Sequence, residues 1–116
     1  MGSGIAQVSA QSGFKTILYD LNTVVVEKAA NSIEQSLQSV SSKRKTGHRR
    51  KNATQQRLQF TSLLPDCIAD IFIEAIAERS ELKIDLFNQL AKMNNIVTAY
   101  LRPIHHLYPL TILLLR

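Results

Sequence analysis

The stretch that most limits what this chain can become is its first twenty residues, MGSGIAQVSAQSGFKTILYD. Two glycines, Gly2 and Gly4, open it, and Ile5, Val8 and small residues follow as far as Gly13. That composition predicts a short helix packed closely on a sheet and stopped by a glycine able to take positive φ. Residues 14–19 are rich in strand formers, and Asp20 closes the run eighteen residues after Gly2. A glycine-opened helix, a tight turn, a strand and then an acid make the back half of a dinucleotide-binding βαβ unit. The chemistry behind that spacing is specific. A glycine-flanked helix N-terminus receives a pyrophosphate, and a carboxylate at the end of the next strand accepts hydrogen bonds from ribose hydroxyls. The strand and the first two glycines that usually open the fingerprint do not precede it here. Half a motif leaves a plain alternative open: many α/β proteins contain a helix, a glycine and a strand ending in Asp.

Composition narrows the class. At 116 residues the chain is one small domain or part of a larger one. Its apolar share, 45%, is that of a globular protein and argues against disorder throughout. Cys67 is the single cysteine, so no internal disulfide framework exists, and a reducing, cytoplasmic setting fits. No signal-peptide pattern is visible at residue 1, and the apolar tail 107–115 is too short to span a bilayer and contains Pro109. The net charge of +5 raises nucleic acid as a partner. Yet Lys43, Arg44, Lys45, Arg49, Arg50 and Lys51 supply the excess within nine residues, and elsewhere acids slightly outnumber bases. With no aromatic residues between them, these cations read as a solvated basic loop, and neither a nucleic-acid nor a membrane partner is expected.

Further along, Asn22 or Thr23 can cap a long amphipathic helix over 24–43, with Val25, Ala29, Ile33, Leu37 and Val40 on one face. Residues 41–57 lose that periodicity, and the span 24–57 as a whole is expected to be a long helical insertion. A short apolar run at 58–62 suggests a strand, and Pro65-Asp66 a turn. The run 68–76, IADIFIEAI, is the best candidate for a central strand, with Glu78 following its carboxyl end. Ser80 can cap a helix over 81–93 whose core face is Leu82, Ile84, Leu86, Phe87 and Leu90. Residues 96–100 are again strand-like. Strand and helix alternating this way predict an α/β fold with a parallel sheet.

Four separated blocks, MGSGIAQ, ILYDLN, EKAANSIEQSLQSV and EAIAERSELKIDLFNQL, agree in order and spacing with one family. Over about residues 1–42 and 58–100 the chain resembles the NAD-binding N-terminal domain of the 3-hydroxyacyl-CoA dehydrogenases. These oxidise the 3-hydroxyl of an acyl-CoA to a ketone in fatty acid β-oxidation and pass the hydride to NAD. The resemblance implies a partial Rossmann-like, doubly wound parallel sheet lacking its first strand. It implies that Gly2 is the last glycine of the phosphate loop and that Asp20 holds the adenine ribose, favouring NAD over NADP. Glu78 and Lys83 match positions beside the nicotinamide half of the cofactor. Ser36 and Lys43 match positions that touch the CoA part of an acyl-CoA substrate. No metal is implied.

The resemblance stops after Tyr100. There the family continues Ala-Ser-Asn-Thr-Ser-Ser-Leu-Ser, whereas residues 101–116 read LRPIHHLYPLTILLLR. His105 and His106 are adjacent, so on a strand they would point to opposite faces, with no carboxylate or cysteine nearby in sequence to complete a site. The genetic code offers another account. One permitted choice of codons for 101–109, read from its third base, encodes the family's whole missing segment. Residues 1–100 are therefore expected to be an incomplete NAD-binding domain, and 101–116 an aberrant, frameshifted tail. No residue matches the family's general-base histidine, and the helical domain that carries the family's homodimer contact is not represented. The expectation is a chain without catalysis of its own, and the alternative a non-catalytic nucleotide- or CoA-binding remnant.

Overall fold

A computed structural model describes residues 2–42, 47–74, 80–94 and 112–115. The first helix, α1 (Gly2–Gln11), ends where Gly13 adopts a φ of 103°. Only glycine takes that conformation without steric cost, so the expected helix stop is in place. Strand β1 (Thr16–Tyr19) follows, two residues shorter at its start than the sequence suggests, because Phe14 is half exposed and lies outside the sheet.

Helix α2 (Thr23–Ser41) is capped by Asn22, whose side chain accepts from the Val24 N–H at 3.0 Å. Its buried residues include Val26, Ile33 and Leu37, close to the stripe the periodicity predicts. A third helix, α3 (Gly47–Arg57), occupies the polar stretch read above as a solvated loop. It has almost no apolar face, which is why hydrophobic periodicity cannot find it. Contacts with α1 and α2 hold it instead. Gly47 lies so near the end of α2 that a Cβ there would sit 2.5 Å from the Ser41 backbone. The Arg57 guanidinium donates to the Ala10 carbonyl of α1 at 3.2 Å. Basic side chains at the carboxyl end of a helix complement its dipole as well as its free carbonyls.

Strand β2 (Leu58–Thr61), a single 3-10 turn (Leu64–Asp66), strand β3 (Ile71–Glu74), helix α4 (Ser80–Asn94) and strand β4 (Ile112–Leu115) complete the described chain. The expected strand at 96–100 and the two histidines lie outside the described residues. The sheet has the order β2-β1-β4-β3. Strands β1 and β2 are parallel, with Thr16 opposite Leu58 and Tyr19 opposite Thr61. Strand β4 is antiparallel to both of its neighbours, so β1 and β3 run the same way.

Among the described strands residues 71–74 pair with β4 and lie at a sheet edge, with Ile71 half exposed. Residues 112–115 of the tail join the sheet. The ILLL run fills the position between β1 and β3 that the usual doubly wound order gives to a first strand. The reason is physical. Unpaired edges on β1 and β3 need partners, and a continuous apolar run suits a strand covered on both faces.

Both faces of β1 are covered. Ile17 and Tyr19 join Phe72, Cys67, Ala69 and Leu90 on the α4 side. Leu18 points the other way, to Ala6, Ile33 and Leu37 of α1 and α2. Every residue of β1 is therefore buried, and its carboxyl end emerges between the two helical layers.

Candidate functional site

Asp20 follows the last residue of β1 and is buried at 3% exposure. Its backbone N–H donates to the Thr61 carbonyl at 3.3 Å, which ties the carboxyl ends of β1 and β2 together. Its Oδ1 accepts from the Asn22 N–H at 2.8 Å, and Asn22 in turn caps α2. The local sequence Asp-Leu-Asn-Thr thus turns the chain and starts the helix through two successive side-chain-to-backbone bonds. Burial pushes the Asp20 carboxyl above its usual range, and the Asn22 N–H bond opposes that shift. Its other oxygen, Oδ2, is buried and has no hydrogen-bond partner among the described residues. An orphaned carboxylate oxygen is costly unless a donor arrives from outside the protein.

A cavity of about 1030 Å³ has Asp20 in its wall. Tyr19, Asp20 and Asn22 line one side, Ser62 to Leu64 a second, and Asp85, Leu86 and Gln89 of α4 a third. It lies at the carboxyl ends of β1 and β2, where open α/β sheets take ligands. The Thr61 hydroxyl braces the second wall, donating to Asp66 at 2.7 Å and accepting from the Leu63 N–H at 3.0 Å. Sequence reading missed Asp85 and Gln89. Their four-residue spacing, which stacks them on one helix face, was the available signal. The donor requirement of Asp20 and a mostly apolar cavity beside it fit an adenosine: ribose hydroxyls for the carboxylate, apolar wall for the base.

The remaining site residues are distributed as follows. Gly2 is buried at the start of α1, and because α1 runs back along β1 through the Gly13 turn, Gly2 lies at the Asp20 end of the sheet. Ser36 is on α2, where its hydroxyl accepts from the Gln7 side chain of α1 at 3.0 Å, so it joins two helices. Lys83 lies on α4, and its side chain is outside the description, as are Lys43 and Glu78. A second cavity, of about 670 Å³, is lined by Gln11, Ser41 and four cations of α3: Arg49, Arg50, Lys51 and Arg57. It lies by the carboxyl ends of α1 and α2, away from Asp20. Among the described residues no three His, Cys, Asp or Glu side chains converge to hold a metal, and no helix is long and apolar enough to cross a membrane.

With this geometry in view, comparisons identify the relatives. Residues 1–99 match the family model described as 3-hydroxyacyl-CoA dehydrogenase, NAD binding domain. A probable 3-hydroxybutyryl-CoA dehydrogenase of Deinococcus radiodurans is 37% identical over 80% of this chain and 34% of its own length. The mitochondrial hydroxyacyl-coenzyme A dehydrogenase of Mus musculus is 32% identical over 79% of this chain and 32% of its own. Among solved structures, M. tuberculosis FadB2 superposes with a TM-score of 0.74 at 30% identity, covering 87% of this chain and 36% of that one. The chain thus spans about a third of the length of the relatives it matches.

Proposed function

The chain belongs to the 3-hydroxyacyl-CoA dehydrogenase NAD-binding-domain family, and from that premise we propose that it binds NAD with the adenine ribose on Asp20. One observation carries the proposal: the buried Asp20 carboxylate at the carboxyl end of β1, with an unpartnered oxygen beside a cavity. Two ribose hydroxyls satisfy that oxygen, and a 2′-phosphate in their place would be repelled by the carboxylate. NAD supplies the hydride acceptor when bound; the chain's own residues bind and orient it. Gly2, at the buried N-terminus of α1, supports the pyrophosphate. Glu78 and Lys83 are assigned to the nicotinamide half, and Ser36 and Lys43 to the CoA portion of an acyl-CoA.

For the whole protein the proposed reaction is oxidation of a 3-hydroxyacyl-CoA to the 3-oxoacyl-CoA in the cytoplasm, by a homodimer as in the family. No residue of 1–116 is assigned as its general base, so this chain alone is expected to bind without turnover. The family match ends at residue 99, which supports reading 101–116 as a product of a shifted frame. The nucleotide sequence decides that: codons that forbid the shifted reading sink it. The cofactor assignment is tested by titrating the chain with NAD and NADP. Tighter NAD binding that weakens about 10- to 100-fold in Asp20→Ala is expected, matching the ~1.5–3 kcal/mol of hydrogen bonds to a charged group. Equal affinity for both dinucleotides would remove Asp20 from the ribose.

A further inference from the structure

The walls of the Asp20 cavity carry more chemistry than a ribose contact uses. Asp20 and Asp85 are its carboxylates, and no Lys, Arg or His lines it among the described residues. Two acids without a cation disfavour a phosphoryl group, so the space suits the neutral nucleoside end of a dinucleotide. The cationic cavity beside α3 has the opposite character. Two leucines also stand open in the walls around Asp20, Leu21 at 76% exposure and Leu63 at 65%. Apolar side chains left uncovered in a ligand cavity suit the flat face of a base.

Helix α4 presents a polar pair to the same space in a fixed direction. Leu90 is buried in the core layer with Ile17 and Tyr19, and Leu86 packs against that layer. Asn94 anchors the carboxyl end of the helix, donating to the Cys67 carbonyl at 3.0 Å and accepting from the Ala69 N–H at 2.8 Å. With positions 86 and 90 turned to the core, positions 85 and 89 lie about 100° round the helix axis. Asp85 and Gln89 are both exposed there, and both line the cavity.

We propose that Asp85 and Gln89 read the amino edge of the adenine. The proposal rests on the nucleotide reading given above. Adenine offers its 6-amino donor beside the N7 acceptor, a pattern that the carboxamide of Gln89 meets with two hydrogen bonds. The second N–H of that amino group is then free for the Asp85 carboxylate, which only accepts. Hypoxanthine carries a carbonyl oxygen in place of the amine. It would set two acceptors against each other at Asp85 and leave the Gln89 oxygen without a donor.

Titrating the full chain with NAD and with nicotinamide hypoxanthine dinucleotide tests this edge directly. Wild type should bind NAD on the order of tenfold more tightly, the scale of one well-formed base contact. In Asp85→Asn the new amide can turn its oxygen to an amine or its NH2 to a carbonyl, so the preference should narrow to about threefold or less. Most of that narrowing should come from tighter binding of the analogue, which damage to the fold would not produce. Gln89→Ala should weaken NAD about five- to tenfold and the analogue less. Equal wild-type affinities for the two dinucleotides, or an unchanged preference in Asp85→Asn, would overturn the base contact and leave Asp20 on the ribose. Equal weakening of both dinucleotides in Asp85→Asn would assign the residue to the support of α4 and overturn it too. No NAD binding by the wild type would end the nucleotide reading, and the base contact with it.

Discussion

At the scale of single residues, Asp20 was legible in sequence because its meaning is a spacing. The glycine-opened helix, the turn and the strand place an acid at the carboxyl end of β1, where the proposed ribose contact lies. Its unsatisfied oxygen was not legible, since that depends on which donors the folded chain leaves out of reach. The same oxygen sets a pH dependence. Because the native carboxyl titrates above its usual range, Asp20 favours folding fully below the unfolded pKa near 4, and that contribution is lost as pH rises through the native value. Urea midpoints measured from pH 4 to 7 should therefore fall further in the wild type than in Asp20→Asn. NAD affinity should move in the opposite sense, strengthening as Asp20 ionises. Gly13 makes a simpler case. A Cβ there meets nothing within 4 Å, so only the φ of 103° resists substitution. Gly13→Ala should cost about 1 kcal/mol in thermal or urea unfolding, and a neutral result would mean that the helix ends differently.

Elements with an apolar rhythm were readable, and elements without one were not. The stripe of α2 and the capping residue before it follow from three- and four-residue spacing and from Asn22. Helix α3 gives no such signal, because its only buried residues are Gly47 and Thr54 and its support comes from two other helices. Residues 68–76 show the limit of such a signal. A run of apolar residues states that a strand is partly covered, but not whether it has one neighbour or two. The attachment of α4 was likewise invisible. Asn94 clamps the end of α4 to the segment before β3. Its amide donates to the Cys67 carbonyl at 3.0 Å and to the Leu90 carbonyl at 2.9 Å, and its oxygen accepts from the Ala69 N–H at 2.8 Å. Asn94→Ala leaves partly buried backbone groups without partners and should cost about 1–3 kcal/mol. Asn94→Asp tests the cause: it keeps the acceptor for Ala69 but has no N–H for the two carbonyls, so it should recover only part of the loss. Full recovery in Asn94→Asp would assign the effect to helix packing instead.

Over the whole molecule, the class of fold followed from alternation, and the route of the tail did not. The order of local elements predicts a parallel sheet covered on both sides, whereas which strand fills an interior slot is decided by long-range pairing. One consequence concerns cooperativity. Strand β1 belongs to both apolar layers, with Ile17 and Tyr19 on one face and Leu18 on the other. Neither layer can open without exposing the other's side of the same strand, so the two should melt together. Leu18 and Leu90 test this from opposite faces, at 0% and 1% exposure. Each Leu→Ala change should cost about 2–5 kcal/mol, a large share of the 5–15 kcal/mol available to a domain of this size. The chain has no tryptophan and three tyrosines; with Tyr100→Phe and Tyr108→Phe as the background, Tyr19, buried in the α4-side layer, reports on that layer by fluorescence, while circular dichroism reports on the helices. Coincident transitions by both probes, shifted to lower urea in each variant with an unchanged slope, are the expected result. If Leu18→Ala moved only the circular-dichroism transition and left tyrosine fluorescence at its wild-type midpoint, the layers would be independent, and β1 would not be the element that joins them.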